Sequence, residues 1–484
     1  MRTALNLFFF TCCVQIICSA QVKPNSPKES LKHLAEQNIN NDYERYKSIA
    51  LDIWNFAEVG YKEKESSALL QRTLKENGFI VQPGIAGMPT AFIATFGSGK
   101  PVIGILAEFD ALPGLSQHAI PERKPIEGKD AGHGCGHHLF GTASVAAGIE
   151  LKKLIEAKKL NGTLKILGTP AEEGGSGKVY MVRDGLFNDI DAVVHWHPGN
   201  KNEVTMSSAL ANKSAKFRFY GISAHAAVAP ERGRSALDGV ESMNYMVNMM
   251  REHTSQETRI HYVITDGGKA PNVIPDYAEV YYYVRHPKRE QVLTTFERIV
   301  NAAKGAALGT ETTMDYEIIG GTHDMLINKT LAKAMYENLK MVGGVHYDKE
   351  DVEFAKQIQS TFKDIRPSIS SADSIIPLQA EVNVWPASTD VGDVSYVVPT
   401  VGLYAATWVP GTAHHSWQAV ACGGMQIGIK GMIVAAKTMA FTAIDLFSDP
   451  VLIRKSKAEF MKSVGDYKYQ ALLGERKPAL NYRD

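Results

Sequence analysis

The chain has 484 residues, more than a single compact core usually holds, so its length alone predicts two domains. Hydrophobic residues make up 44% and charged residues 21%, which are ordinary values for a globular protein. Lys plus Arg equals Asp plus Glu at 52 each, and this zero formal net charge argues against nucleic acid or an acidic membrane as a partner.

The first twenty residues have the pattern of an export signal. Met1 and Arg2 give a short basic start, residues 4–17 are apolar, and residues 18–20 form a small-residue cleavage site. The apolar run is too short for a membrane span, and no later segment looks apolar enough to cross a bilayer. We therefore expect an exported protein, periplasmic or secreted, without a membrane span.

Removal of this signal would leave two cysteines, Cys135 and Cys422. Two cysteines do not make a disulfide framework, although one bridge between them is possible. A structural protein stabilised by that bridge is therefore one alternative to be tested.

The first half of the chain alternates short apolar runs with segments of helical spacing. Residues 22–41 are polar and predict a loose lead-in. Strands that alternate with helices favour a mostly parallel sheet with helices on both faces, which is an α/β fold. The predicted helices are 42–56, 66–77, 137–159 and 179–185, and the predicted strands are 90–96, 101–107, 163–169 and one that begins at 192.

The pattern changes after about residue 209. Half-buried strands and helices in the new order predict a separate α+β domain with an antiparallel sheet. Its predicted strands are 215–220, which alternates like an exposed strand, 259–265, 278–285 and 312–319, and its helices are 235–252 and 289–308. Residues 400–407 and 429–447 are expected to rejoin the first sheet. The predicted division is signal 1–20, catalytic domain 21–209 and 323–484, and inserted domain 210–322.

The strongest local motif covers residues 132–138 and contains three histidines, one cysteine and three glycines. Cys135 and His137 can reach a common metal if the backbone turns sharply, and the glycines permit such a turn. A thiolate and an imidazole suit zinc and related transition metals. The motif therefore predicts a metal site at the start of the long helix, against the alternative of a glycine-rich turn with incidental histidines.

Paired carboxylates follow two predicted strands. Glu172 and Glu173 lie beyond the carboxyl end of a parallel strand, where such sheets hold their sites. One of them could bind metal while the other acts as a general base. Glu108 and Asp110 follow an earlier strand, and one of them could orient a ligand imidazole.

Two histidine pairs complete the donor set. His195 and His197 lie at a predicted strand end, and His414 and His415 lie in a loop after a later strand. Either member of each pair is a candidate ligand on these grounds alone. Together with the cysteine motif and the glutamates, the pairs provide enough nitrogen, sulfur and oxygen donors for one or two ions.

The order of these motifs resembles the M20 metallopeptidase family, and within it the amidohydrolase branch and its aminobenzoyl-glutamate hydrolase B-subunit group. The resemblance extends from about residue 43 to residue 447. It rests on the segments EFDALPG, GHGCGHHLFGTA, AEEGGSGKVYMVRDG, HWHPG, GISAHAAVAPERGRSALD, PNVIPDYAEV and STDVGDVS, in that order.

The resemblance implies a two-metal hydrolase with a mostly parallel catalytic domain and an inserted α+β lid or dimerisation domain. It implies two divalent ions per subunit, manganese or zinc, with cobalt also possible. Glu172 would be the general base and Asp110 would orient a ligand. The implied metal ligands are Cys135, His137, Glu173, His197 rather than His195, and His415 rather than His414.

Three further roles are implied for the inserted domain. His225 would reach the active site of a partner subunit and stabilise the oxyanion. Asn272 and Arg285 would hold the substrate, since a guanidinium pairs with a carboxylate in bidentate fashion. A salt bridge at the strand end is the alternative for Arg285. The implied partners are a small N-acyl amino acid and a second copy of the chain.

Two positions depart from the family pattern. Glu108-Phe109-Asp110 stands where many peptidase members carry a His-x-Asp unit, and His138 stands where many amidohydrolases carry Asp. The substrate expected from the resemblance is p-aminobenzoyl-glutamate or a related aryl-amide of glutamate. The alternatives are a broad aminoacylase or dipeptidase and, in another class, a non-catalytic metal- or ligand-binding protein.

Overall fold

A computed structural model describes residues 26–364 and 366–484 of the chain. The predicted signal at residues 1–20 lies outside the described residues. The helices within the described ranges are α1 (Pro27–Asn41), α2 (Tyr43–Phe56), α3 (Lys64–Glu76), α4 (His137–Glu156), α5 (Glu172–Gly175), α6 (Gly177–Arg183), α7 (Ala236–Met250), α8 (Arg289–Gly309), α9 (Lys329–Val342), α10 (Lys349–Ser360), α11 (Val391–Ser395), α12 (Trp417–Gly423), α13 (Gln426–Ser448) and α14 (Pro450–Val464).

The strands form a large sheet, a smaller one and a short two-stranded pair. Their bounds are β1 (Ile80–Pro83), β2 (Phe92–Ser98), β3 (Val102–Ala107), β4 (Gly162–Gly168), β5 (Ala192–Gly199), β6 (Glu203–Val204), β7 (Ser207–Ser208), β8 (Ala211–Tyr220), β9 (Arg259–Asp266), β10 (Tyr277–His286), β11 (Thr313–Thr322), β12 (Asn383–Val384) and β13 (Thr400–Ala406).

The large sheet has seven strands in the order β1-β2-β4-β3-β5-β13-β6. Its four central neighbours, β4, β3, β5 and β13, are parallel, whereas β1, β2 and β6 join antiparallel. The predicted α/β fold with a mostly parallel central sheet is confirmed, and β13 joins this sheet as expected. The continuous burial of β3 and β4 reflects strands covered on both faces.

The smaller sheet is antiparallel, in the order β11-β8-β10-β9, and its strands come from residues 211–322. Helices α7 and α8 cover it, and it has its own hydrophobic core around Phe217, Tyr282 and Phe296. β8 begins at Ala211, earlier than predicted, and pairs on both sides. Phe217 and Phe219 face the core while Arg218 and Tyr220 lie on the outer face, which gives the alternation predicted from the sequence.

The polar segment before residue 42 is not a loose lead-in, and that prediction was wrong for the residues described. Ser26 and Glu29 form a reciprocal capping box at the start of α1. Ala35 and Ile39 are buried, and the Lys32 ammonium lies 2.8 Å from an Asp445 carboxylate oxygen of α13. A narrow apolar stripe and one buried ion pair are therefore enough to fix this helix to the core.

One helix of the described chain, α13, is long and apolar enough to span a membrane by length and composition. The expectation from the sequence that no segment after residue 20 is apolar enough to cross a bilayer was therefore wrong as a statement about composition. Of the most apolar 18-residue stretch of α13, 89% is buried inside the protein, where the helix packs along α4 and α1. Its apolar character is accounted for by a helix surrounded by other elements of the fold.

Candidate functional site

The predicted site residues gather at one edge of the large sheet. β4, β3, β5 and β13 are parallel neighbours, so their carboxyl ends meet at that edge. The side chains that follow or end these strands are Asp110 after β3, Glu172 and Glu173 after β4, His195 and His197 in β5, and His414 and His415 after β13. The sheet thus brings together motifs that lie hundreds of residues apart in sequence.

A glycine turn places the cysteine motif beside these strand ends. Gly136 precedes α4 with φ +78°, a conformation that L-residues rarely adopt. A Cβ on Gly136 would lie 2.7 Å from the Pro198 side chain. The absence of a side chain at this position therefore also allows the turn to approach β5 closely. The Cys135 Sγ consequently lies 3.4 Å from the His197 Nε2.

Six side chains form overlapping clusters in which the candidate ligand atoms lie within 4.8 Å of one another. Cys135, His137 and Glu173 each belong to two of the clusters, so the three clusters form one connected group. The clusters are Cys135 with His137 and His197, Cys135 with Glu173 and His415, and His137 with Glu172 and Glu173.

Asp110 fixes the orientation of His137. Both side chains are buried, and the His137 Nδ1 lies 2.9 Å from an Asp110 oxygen. With its Nδ1 directed at this carboxylate, the ring presents to a metal its Nε2, which lies 3.1 Å from a Glu108 oxygen. The other Asp110 oxygen accepts a hydrogen bond from the Glu173 backbone N–H at 2.9 Å, so one carboxylate aligns two elements of the site.

The geometry distinguishes the members of each histidine pair. His197 donates from Nδ1 to the Pro198 carbonyl at 2.7 Å, which leaves Nε2 facing Cys135. The His415 Nε2 lies 3.0 Å from a Glu173 oxygen, whereas His414 packs edge-on against Trp408. His197 and His415 belong to the clusters of ligand atoms, and His195 and His414 do not.

The residues present fit divalent metal ions. The His137 Nε2 and the Glu173 Oε1 are buried and make no hydrogen bond of normal geometry in the described chain, and they lie 3.1 Å from a Glu108 oxygen and 3.0 Å from the His415 Nε2, respectively. Burial raises the pKa of the Cys135 thiol well above its usual range, and a nearby cation is what would favour the thiolate. A cluster of sulfur, nitrogen and oxygen atoms this close together is the ordinary composition of a transition-metal site.

Glu172 is placed and tuned as a proton acceptor. It follows Ala171, whose φ of +57° is strained for a residue with a side chain, and it lies in one cluster with His137 and Glu173. Burial raises its pKa well above the usual range, and the charges of Glu108, Glu173 and Asp390 raise it further. A raised carboxyl pKa brings the group closer to the pH at which a general base is effective.

A buried network of ion pairs lies next to Glu172 and was not predicted from the sequence. The Lys178 ammonium lies 2.6 Å from a Glu108 oxygen and 2.7 Å from an Asp390 oxygen, and all three side chains are buried. Burial lowers the pKa of Lys178, but the carboxylates of Asp390 and Glu108 outweigh it and raise the value above the ordinary range. Lys178 and Asp390 lie inside the quoted motifs, which is the signal that could have identified them.

A second missed feature holds the backbone of Glu173. Tyr482 and Arg483 both donate to the Glu173 carbonyl, at 2.9 and 2.6 Å. The Tyr482 ring packs edge-on against Tyr61, whose hydroxyl donates to the Gly175 carbonyl. No local pattern in residues 466–484 indicates this role.

Three predicted residues lie away from this cluster. His225, Asn272 and Arg285 do not line the cavity that borders the described metal-site residues. His225 and Asn272 lie on adjoining exposed loops of the smaller sheet, joined by a hydrogen bond from the Ala226 N–H to the Asn272 carbonyl. Within the described chain Arg285 forms no salt bridge, so the alternative of a strand-end ion pair is not found, and its guanidinium lies over the Tyr283 ring.

The remaining cysteine and histidines of the motifs have packing roles. Cys135 and Cys422 are both free and buried, which contradicts the alternative of a bridge between them. The His138 Nε2 lies 3.0 Å from the Gly423 carbonyl, and the His133 Nε2 lies 3.0 Å from the Ile53 carbonyl. His138, the departure from the family pattern, therefore ties α4 to α12 and lies outside the ligand clusters.

Comparison with known proteins adds relatives over most of the chain. A sequence model of peptidase family M20/M25/M40 matches residues 104–363. The B-subunit of the p-aminobenzoyl-glutamate hydrolase of Escherichia coli is 41% identical over 446 residues, 87% of this chain and 93% of its own. The Xaa-Arg dipeptidase of Mus musculus is 30% identical over 89% of this chain and 92% of its own.

Among solved structures, a dinuclear metal-binding peptidase of the M20 family from Bacillus subtilis has a TM-score of 0.59 and 17% sequence identity. It covers 84% of this chain and 99% of its own. At this identity the likeness shows a shared fold.

Proposed function

The chain belongs to peptidase family M20/M25/M40, and from that membership and the site geometry we propose that it is a metal-dependent amidohydrolase with Glu172 as general base. The single observation that carries this proposal is the position of Glu172, partly buried in one cluster with the candidate ligands His137 and Glu173. A protein that only bound metal would not need a proton acceptor there.

The chemistry divides between bound ions and the side chains around them. Two divalent ions held by Cys135, His137, Glu173, His197 and His415 would polarise a carbonyl and lower the pKa of a water to about 7. Glu172 removes the proton from that water and returns it to the leaving amine. Asp110 keeps the His137 ring and the Glu173 backbone in position during the reaction. We propose manganese or zinc as the ions, with cobalt also competent.

We propose p-aminobenzoyl-glutamate, or a related aryl-amide of glutamate, as the substrate. The support is the 41% identity to a component of the Escherichia coli hydrolase named for that compound, over nearly all of both chains. A broader aminoacylase or dipeptidase activity is the second candidate, favoured by the 30% identity to an Xaa-Arg dipeptidase.

The first test is hydrolysis of p-aminobenzoyl-glutamate by the purified protein after chelation and after restoration of Mn, Zn or Co. We expect release of p-aminobenzoate only when metal is restored, because the ligand cluster activates the water. If dipeptides and other N-acyl amino acids are cleaved instead, the mechanism stands and the substrate proposal fails. If a dimeric, metal-loaded sample cleaves no amide, the alternative of a non-catalytic metal-binding protein is favoured.

We also propose that the chain is a homodimer that pairs through an inserted domain at residues 210–322. β9 is the edge strand of the smaller sheet, and its Tyr262, Val263 and Ile264 side chains are exposed. An exposed apolar edge strand favours pairing with a second strand. Pairing with a related but different chain is the alternative, since the Escherichia coli relative is by name one of the subunits of its enzyme.

His225 has the properties required to act on a partner subunit. Its ring is exposed, and its Nδ1 accepts hydrogen bonds from the Ala227 and Val228 N–H groups at 3.2 Å. The proton therefore resides on Nε2, which faces solvent as a donor. We propose that this donor, with Asn272 and Arg285, completes the active site of the second copy.

Mixing two inactive variants tests this arrangement. Glu172→Gln and His225→Ala homodimers are each expected to be inactive or nearly so. Subunits exchanged between them should recover about a quarter of wild-type activity, because half of the dimers are mixed and each contains one complete site. If His225 acts within its own chain, the mixture will show no recovery.

We further propose that residues 1–20 direct export and that the mature protein is periplasmic or secreted. The support is the basic start, apolar run and small-residue end of this segment.

A further inference from the structure

A cavity of about 400 Å³ extends from the ligand cluster along one face of the large sheet. Glu172 and His197 line it beside the cluster, and His195 lines it one row deeper into the sheet. The rows follow from the strand register, in which His197 pairs with Tyr404 and His195 pairs with Gly402. The cavity is built from the same chain as the ligands.

His195 is an unusual side chain for the wall of this cavity. It is 6% exposed, and apart from a weak contact with the Trp196 backbone neither ring nitrogen has a hydrogen-bond partner in the described parts of the chain. Its ring lies over Gly402, where a Cβ would be 2.3 Å from Nε2, so the glycine opposite makes room for the imidazole. The ligand clusters contain His197 and not His195.

An unpartnered buried ring is costly for the fold. Leaving a buried donor or acceptor without a partner costs roughly 1–3 kcal/mol, and a neutral imidazole has one of each. Such a group is retained where an occupant of the cavity supplies the missing partner. His195 therefore indicates a polar atom in the ligand, displaced from the scissile bond.

The distance suits an aromatic acyl group. Alternate residues of a strand lie about 7 Å apart, so the backbone positions of His195 and His197 are separated by about that distance along β5. A benzoyl group spans a similar length from its carbonyl carbon to a substituent in the para position. Phe140, Met325 and Tyr404 line the same cavity and offer apolar surface to such a ring.

Within the described chain, the wall offers no unpaired cation to a carboxylate, whereas a neutral aromatic amine needs none. Glu108, Glu172 and Glu203 line the cavity. The nearby cations are already paired, Lys178 with Glu108 and Asp390, and Lys201 with Glu203 at 2.7 Å. The carboxylates of a glutamate product would be repelled from this end.

We propose that His195 is the specificity residue of the acyl subsite and accepts a hydrogen bond from an amino group at the para position of an aromatic acyl group. This inference rests on the proposed function for the position of the scissile amide. It assigns the intrachain cavity to the acyl half of the substrate and the smaller sheet to the amino-acid half.

The test compares the binding of p-aminobenzoate and benzoate by calorimetry in the metal-loaded protein, and the hydrolysis of their glutamate amides. Wild type should bind p-aminobenzoate roughly 3- to 10-fold more tightly than benzoate, the ratio expected of one hydrogen bond. His195→Phe should remove this ratio while keeping benzoate affinity, and His195→Gln, which keeps an acceptor, should restore part of it.

Ser388→Ala tests the competing acceptor, because the Ser388 Oγ is a second unpartnered buried atom in the same wall. It should preserve the ratio. An unchanged ratio in both His195 variants, or its loss in Ser388→Ala alone, would overturn the proposal. The ratio of the two affinities can be measured without turnover, so it tests this inference separately from the proposed function. If p-aminobenzoate binds more tightly than benzoate but no amide is hydrolysed, only the proposed function is contradicted.

Discussion

Replacement of Glu172 by Gln is expected to lower kcat by about 10²- to 10⁴-fold while the metal content stays close to that of wild type. The amide preserves the size and most of the polarity of the side chain but cannot accept the proton of the attacking water. The ligands in the clusters without Glu172 remain intact, so loss of metal would not explain the loss of rate. Steady-state kinetics with metal analysis of the same sample gives both quantities.

Glu203→Gln provides the comparison for this variant. Glu203 lines the same cavity and pairs with Lys201, but it lies outside the ligand clusters. Its replacement should change kcat by far less than replacement of Glu172. Near-normal turnover of Glu172→Gln with metal bound would exclude Glu172 as the base.

Replacement of Lys178 by Met is expected to destabilise the fold by about 3–5 kcal/mol, the typical cost of removing one partner from a buried ion pair. The change leaves Glu108 and Asp390 buried without their cation. Burial already raises the pKa of Asp390 to about 6 with the ammonium present. Without it, folding must either bury two adjacent charges or protonate one of them.

Denaturant and thermal unfolding of Lys178→Met and Lys165→Met measure the difference. Lys165 also forms an ion pair with an aspartate at 2.7 Å, but its partner Asp189 is largely exposed. That surface pair should contribute less than about 1 kcal/mol. Neutralising the stranded acids as well, with Glu108→Gln and Asp390→Asn, should recover part of the loss. Equal effects of the two lysine changes would show that burial of the network contributes nothing.

The sequence was informative wherever chemistry was local. The Cys135 motif and the Glu172–Glu173 pair each stand next to a recognisable strand or helix end, and parallel strands bring such ends to one edge. His195 and His197 could not be separated in this way, because alternate residues of a strand share a face. Their difference arises from contacts with Gly402 of the neighbouring strand β13 and with Cys135 of the turn before α4, which no local pattern contains.

The parts that escaped prediction depend on distant partners. Lys178 and Asp390 are 212 positions apart, and the donors to the Glu173 carbonyl come from about 310 positions away. α1 was mistaken for a loose segment because only a narrow stripe of it is apolar, although its capping box was visible in Ser26 and Glu29. Polar composition predicts exposure on average, and a single buried ion pair is enough to override it.

The hold of Tyr482 and Arg483 on the Glu173 carbonyl bears on how this chemistry could be moved to another scaffold. A designer who grafted the strand ends and the cysteine turn would transfer every candidate ligand and still leave that carbonyl without its two donors. The grafted glutamate would then sample positions that the native loop does not allow. A successful transplant must carry residues from both ends of the described chain, with Tyr61 on one side and Tyr482 on the other.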